Sequence, residues 1–303
     1  MDKKEKSFIS AVIYLRNEEK RVEPFFSSLY AFMDRHFESF ELVAVDDACT
    51  DRTVSILKQW AENMDQPLTI IHLSLYHGRE NAMNAGLDIA IGDYIYEFDS
   101  LETPYDMEIA YSAFQKTQEG NDIVSVCPSE TRRSSSLFYQ VFNKSSHNPY
   151  QIQTDAFRIV TRRAINRVHS SSRFMPYRKA EYAASGLKMA VVEFEGSLTS
   201  RQKDRLALAI DSLALYTDAG EAISMGIVAF MAAVAFLELI YTVVIFLIGK
   251  PIEGWTTMML VLTFGLLGLF IVLSIIIRYL SLLLDMTFRK QKYLVEGIEK
   301  IQK

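Results

Sequence analysis

Two long apolar runs near the C-terminal end constrain this chain more than any other feature. From Ile223 to Gly249 the only charged residue is Glu238, and from Trp255 to Ile277 there is none. Each run exceeds the roughly 20 residues that carry a helix through a hydrocarbon core about 30 Å thick. Soluble helices of that length carry a polar stripe, and these do not. The pattern predicts two transmembrane helices joined only by Lys250 to Gly254, a tight antiparallel hairpin. A hairpin returns the chain to the side it left. Arg201, Lys203 and Arg205 precede it, and Arg289, Lys290 and Lys292 follow it. The positive-inside bias then puts both ends and the large N-terminal part in the cytoplasm, at the inner (plasma) membrane. In that reducing compartment Cys49 and Cys127 are expected to be free thiols. Glu238, an ionisable group inside a span, is expected to meet another protein surface, as in a contact between subunits.

The net charge of -5 conceals a division along the soluble part. Residues 1–130 carry 24 acidic against 11 basic side chains, whereas residues 131–205 carry 5 against 14. An acidic half suits a metal ion, and a basic half near a membrane suits a lipid headgroup or phosphate. No nucleic-acid partner is expected.

The first 130 residues alternate strand and helix signals. Strands are predicted over Phe8 to Leu15, Glu41 to Val45, Leu68 to Leu73, Tyr94 to Phe98 and Ile123 to Val126. Helices are predicted over Val22 to Phe37, Arg52 to Asn63, Glu80 to Ile91 and Tyr105 to Lys116. That order predicts an α/β domain with a mainly parallel sheet and helices on both faces. Ligands of such sheets bind beyond the carboxyl ends of the strands, so the residues just after each strand carry the information. Between Gln202 and Tyr216 apolar residues recur at helical spacing among charges, which predicts an amphipathic helix at the membrane surface. A soluble packing helix is the alternative.

Asp46, Asp47 and Asp51 follow the second strand, around Ala48 and Cys49. Adjacent carboxylates there form an acidic ledge that can accept hydrogen bonds from a base or ribose, or cap the next helix. After the third strand, Gly78 allows close backbone approach and Arg79 can pair with phosphate. Ala82, Ala85 and Gly86 leave one helix face thin enough to pack on the sheet. The fourth strand ends on Asp99, and a hard cation such as Mg2+ or Mn2+ takes carboxylate oxygens and bridges a diphosphate.

Together these residues resemble the family 2 glycosyltransferases of the GT-A fold, a Rossmann-like architecture. More narrowly, the chain is similar to the polyprenyl-phosphate sugar transferases, the group of dolichol-phosphate mannose synthase and the bactoprenol glucosyltransferases. The resemblance is carried by Asn17-Glu18 after the first strand and by Val45-Asp46-Asp47-Ala48-Cys49-Thr50-Asp51. It continues through Gly78-Arg79-Glu80, Ala85-Gly86-Leu87 and Gly92-Asp93, then Phe157-Arg158-Ile159 with Arg162 or Arg163, and Gly254-Trp255-Thr256-Thr257. The family's D-x-D metal motif reads Asp99-Ser100-Leu101-Glu102 here, so the second acid is absent from its usual place.

The resemblance implies transfer of a sugar from a nucleotide-diphosphate sugar to a polyprenyl phosphate on the cytoplasmic leaflet, for cell-surface glycan synthesis or modification. It implies Asn17, Glu18, Asp46, Asp47, Gly78, Arg79 and Asp99 as nucleotide-sugar residues and Asp99 as a ligand of Mg2+ or Mn2+, with Glu102, one residue past the missing acid, expected to reach the metal through its longer side chain. Asp99, Glu102 and Arg158 are the implied catalytic residues, and Arg158, Arg162, Arg201 and Lys203 would hold the acceptor phosphate. It further implies a homo-oligomer, a tetramer. The expected organisation is a glycosyltransferase domain at 1–199, a juxtamembrane amphipathic helix at 200–220, the hairpin at 221–287 and a basic tail at 288–303. Two alternatives stand beside it: a catalytically impaired membrane scaffold, and a processive polysaccharide synthase suggested by Gln202-Lys203-Asp204-Arg205.

Overall fold

In the computed structural model, the described residues are 4–62, 64–130, 139–140, 142–144, 149–171, 177–198 and 293–302, with scattered positions between 226 and 283. The chain divides into two units, 1–205 with 291–303, and 206–290. The predicted hairpin and the amphipathic helix at 200–220 lie outside the described residues, apart from those scattered positions. Among the described residues no helix is long and apolar enough to cross a membrane.

The first unit is built on an eight-stranded sheet. Its strands are β1 (Ile9–Leu15), β2 (Phe40–Asp46), β3 (Leu68–Leu73), β4 (Tyr94–Phe98), β5 (Ile123–Pro128), β6 (Phe157–Thr161), β7 (Met189–Phe194) and β8 (Val295–Ile301), in the order β7-β5-β6-β4-β1-β2-β3-β8. β1, β2, β3 and β4 run parallel, as do β5 and β7. The alternating signals of the first 130 residues are met to within a few residues; the largest difference is the fourth helix, which begins at Ile109 rather than Tyr105. β6 pairs antiparallel with both β4 and β5, and β8 antiparallel with β3. These reversed strands had no sequence expectation, and β8 lies within the stretch expected to be only a basic tail.

The helices are α1 (Val22–His36), α2 (Thr53–Ala61), α3 (Arg79–Ile89), α4 (Ile109–Gln118), α5 (Arg162–Ser171) and α6 (Arg178–Ala184). Side chains alternate across a strand, so β1 sends Ala11, Ile13 and Leu15 into a core with α1, α2 and α4, and Val12 into another with α3, α5 and α6. Because both faces are covered, β1 and β2 read as continuous apolar runs. The thin face expected of α3 is realised at Gly86. A Cβ there would stand 2.3 Å from Val12 Cγ1 and 2.8 Å from Val45 Cγ2. Both valines are stiff at χ1 and buried, so Gly86→Ala is expected to lower stability by about 1–3 kcal/mol. Urea unfolding of the purified chain measures it, and an unchanged midpoint would show that the helix can lift without cost.

Candidate active site

The parallel strands bring their carboxyl ends to one edge. Leu15 is in register with Asp46, and Ile13 with Phe98, so the segments after β1, β2 and β4 emerge side by side. Arg16, Asn17, Asp46, Asp47 and Asp99 all lie along this edge.

Asp47 is fully buried and organises the loop before α3. Its Oδ1 accepts from the His77 amide at 2.8 Å, and its Oδ2 accepts from the Gly78 amide at 3.1 Å and from the Tyr14 hydroxyl at 3.0 Å. Burial and the Asp47 charge push the Tyr14 hydroxyl well above its usual range, so it stays a donor. Gly78 has φ +82°, a left-handed conformation that a side chain would strain. This turn delivers Arg79 to the first position of α3, where unpaired amides and the helix dipole favour an anion. The Arg79 Nε is buried and has no hydrogen-bond partner among the described residues, and Nη2 stands 3.9 Å from Glu80 Oε1. A buried orphan donor at a helix N-terminus marks a place for a phosphate oxygen.

Asp46 faces the other way. Its Oδ1 caps the Cys49 amide at 2.8 Å, and its Oδ2 lies 2.9 Å from Nδ1 of His72. Asn17, at φ 55°, accepts from the Thr50 amide at 2.8 Å, and the Glu18 amide donates to Thr53 Oγ1 at 2.7 Å. These two residues therefore stitch the loop after β1 to the loop after β2. Arg16 donates to the carbonyls of Asp47 and Ala48 and lies 5.0 Å from the Tyr76 ring centre. Both cysteines are free, and burial pushes each thiol up to about 12, which leaves them inert.

Beside this ledge lies a buried ionic network that sequence reasoning missed. Glu97 pairs across strands with Arg158, whose Nη1 donates to it at 3.1 Å; Arg178 Nη1 donates to the same Glu97 oxygen, and the Tyr182 hydroxyl to the other at 2.5 Å. Asp99 receives Arg158 Nη2 at 2.9 Å on one oxygen and Arg178 Nη2 at 2.5 Å on the other. Arg178 Nε reaches Glu80 at 2.9 Å, and Asp155 takes Arg158 Nε at 3.0 Å together with Lys179. The one sequence signal was Glu97 itself, a charge inside an apolar strand that requires a buried partner. Nothing in the sequence named Arg178 as that partner.

Burial opposes the charges of Glu97, Asp99, Asp155, Arg158, Arg178 and Lys179. At Asp99 the charges of Arg178 and then Arg158 overcome it and hold the carboxyl well below its ordinary 3.8. Arg158 and Lys179 likewise hold Asp155 low. At Glu97 burial outweighs the same two guanidinium groups and pushes the carboxyl up. Asp99 and Asp155 thus contribute stability that is complete above their unfolded value of about 3.8 and is lost as the pH falls through their lower folded values. Glu97 acts in the opposite sense, favouring the fold as it takes up its proton. Denaturant unfolding at stepped pH is expected to keep the two aspartate contributions to about pH 4; their disappearance by pH 5 would contradict the pairing.

The residues around Asp99 do not fit a divalent cation in this arrangement. Each Asp99 oxygen already faces a guanidinium, and those positive charges oppose a third cation. The place of the missing second acid is filled by Leu101, packed in the core at 3 % exposure. Glu102 follows it, its amide donating to Ser100 Oγ at 3.2 Å. Among the described residues no group of three or more His, Cys, Asp or Glu side chains is arranged to hold a metal ion. Of the expected Asp99 and Glu102 ligand pair, Asp99 has both oxygens engaged by arginines.

Arg162 also departs from expectation. It donates to the carbonyls of Gly92 at 3.0 Å and Ala90 at 2.5 Å, beside the amino end of β4. β6 runs antiparallel to β4, so four residues at about 3.4 Å each carry Arg162 roughly 13 Å from Arg158, to the opposite edge. Arg163 pairs with Asp122, and Arg201 and Lys203 lie outside the described residues. Arg158 itself is 2 % exposed and engaged by three carboxylates. Its position makes it a brace of the edge rather than a free phosphate ligand.

Comparison with known proteins sets this geometry in context. Residues 10–180 match the model of the family described as glycosyl transferase family 2. A relative from Bacillus subtilis (strain 168), named uncharacterized glycosyltransferase YkcC, is 24% identical, covering 96% of this chain and 94% of its own. The prophage bactoprenol glucosyl transferase homolog of Escherichia coli (strain K12) is 24% identical, covering 96% and 99%. Among solved structures, the mannosyltransferase PcManGT of Pyrobaculum calidifontis, in complex with GDP-Man and Mn2+, aligns with a TM-score of 0.51 at 17% identity, over 94% of this chain and 88% of that one. That likeness supports the GT-A-like α/β fold.

Proposed function

The chain belongs to glycosyl transferase family 2, and from that premise we propose that it moves a sugar from a nucleotide-diphosphate sugar to a polyprenyl phosphate at a membrane surface. One observation carries the donor half. Asp47 clasps the His77 and Gly78 amides and so sets Arg79, with its orphaned Nε, at the N-terminus of α3, where a diphosphate would rest. Asp46 and the loop after β1 would border the nucleoside. Arg79 and the α3 amides would stabilise the charge that grows on the departing diphosphate. A lipid phosphate is already an anion near neutral pH and needs no strong base to attack the anomeric carbon, so positioning is the main demand on the protein.

The acceptor half is supported by relatives named for bactoprenol and by the two apolar runs. β8 adds a topological argument. Strands β1 to β7 and β8 share one sheet, so they lie on one side of any membrane, and the segment between β7 and β8 must cross an even number of times. Two runs of spanning length satisfy that. Cytoplasmic orientation, the inner (plasma) membrane and a homo-oligomer belong to this proposal. Mn2+ accompanies the donor in the Pyrobaculum structure. For this chain Mg2+ or Mn2+ is the corresponding expectation, and it would have to arrive with the donor, because Asp99 is committed to arginines.

The test incubates the purified full chain in detergent with labelled nucleotide sugars and undecaprenyl phosphate, with and without Mn2+, and analyses the lipid fraction. Labelled lipid formed from one donor is expected. Sugar released only to water would refute the acceptor, and donor binding without transfer would favour the scaffold reading.

A further inference from the structure

The segment from Tyr293 to Gln302 follows directly on the 206–290 unit and returns to the sheet as β8, beside β3. It reaches the candidate donor ledge at two places, each through one histidine. The first is the loop after β3. The Leu294 amide donates to His77 Nε2 at 3.1 Å, and the Leu294 carbonyl accepts from the Ser74 amide at 3.0 Å. An amide can only donate, so Nε2 is the acceptor and Nδ1 carries the ring proton, which it gives to the Leu75 carbonyl at 2.6 Å. The same His77 presents its own amide to Asp47. The loop is thus pinned between Leu294, just before β8, on one side and Asp47 on the other.

The second link runs to Asp46. His72 Nδ1 lies 2.9 Å from Asp46 Oδ2, and Glu299 Oε1 stands 3.4 Å from its buried Nε2, which makes no hydrogen bond among the described residues. Glu299 is held in turn by Lys58 of α2 at 2.6 Å. The β3–β8 register slips between His72 and Leu73, where Leu73 faces Val295 and His72 faces Gly297. Such an irregularity re-aims an edge strand, and it sits where the donor loop begins. Tyr293 adds a hydrogen bond to Asp88 of α3, the helix that Arg79 opens.

A strand that merely covered an exposed sheet edge would need none of these side-chain links. We propose that the 293–302 segment, through the Leu294 hydrogen bond to His77 and the Glu299 contact with His72, is a positioning element of the donor site, so that nucleotide affinity depends on that segment. The proposal rests on the donor reading above.

The test uses the full chain in detergent and compares Leu294→Pro, which removes the donating amide, with Leu294→Ala, which keeps it. Hydrogen exchange is read in the loop at 74–80 without nucleotide, and affinity is read by calorimetry with UDP and GDP as probes. Leu294→Pro is expected to speed exchange in that loop and weaken nucleotide binding about three- to tenfold, the worth of one hydrogen bond, with Leu294→Ala matching the parent. His77→Leu removes the acceptor of the same bond and keeps the amide to Asp47, and it should act in the same direction if the proline variant does not fold. Unchanged loop exchange overturns the proposal, as does exchange that rises equally through β1, β2 and β3. A loosened loop with unchanged nucleotide affinity also overturns it. A parent chain that binds neither UDP nor GDP removes the donor reading instead, and loop exchange alone then decides whether the 293–302 segment holds the loop.

Discussion

Replacing Arg178 with methionine is expected to destabilise the first unit by about 3–5 kcal/mol, close to what a marginal domain can lose before unfolding. The side chain is wholly buried and meets three carboxylates, Glu80, Glu97 and Asp99. Removing it leaves Glu97 and Asp99 to share the Arg158 guanidinium, with the Tyr182 hydroxyl on Glu97, inside a region where an unpaired charge has no water to turn to. Urea unfolding followed by circular dichroism measures the loss. The companion substitution sharpens the argument. Adding Glu97→Met to Arg178→Met removes both a surplus negative charge and its missing partner, and part of the stability is expected to return. A single variant as stable as the parent would mean the network is solvated, contrary to its burial.

Arg79→Gln is expected to lower the transfer rate by about 10²- to 10³-fold, the usual effect of removing one donor aimed at developing charge. The buried Nε of Arg79, at the N-terminus of α3, is left without a hydrogen-bond partner among the described residues. The neutral amide of glutamine keeps much of the volume and polarity but loses the charge. If Arg79 acts on the departing diphosphate, kcat falls further than the donor KM rises, because the charge it meets is greatest in the transition state. A KM effect with kcat intact would make Arg79 a ground-state binding residue. Stability should change little, since Arg79 braces no buried acid more closely than the 3.9 Å to Glu80.

Much of the fold was legible because the information was local. Continuous apolar strands and helices with one apolar face recur through the first 130 residues, and the boundaries they mark hold to within a few residues. The ledge was legible for the same reason, since Asp46, Asp47, Gly78, Arg79 and Asp99 each follow a strand that the pattern locates. What these residues do was less legible. Asp47 was expected to face the nucleotide, yet its oxygens hold backbone amides and the Tyr14 hydroxyl. Asp99 was expected to take a metal, yet it is clasped by two arginines.

The sequence by itself determined the parallel half of the sheet, the acidic ledge and the two apolar runs, because periodicity, turn residues and run length are properties of neighbours along the chain. The tertiary structure alone decided the antiparallel placement of β6 and β8, the Arg158 and Arg178 clasp on Asp99, and the link from Leu294 to His77. Those two residues are 217 positions apart. No local pattern encodes which distant segment will pair with an open sheet edge, or which distant arginine will neutralise a buried acid. That is settled when the whole chain must satisfy every buried charge and backbone amide at once.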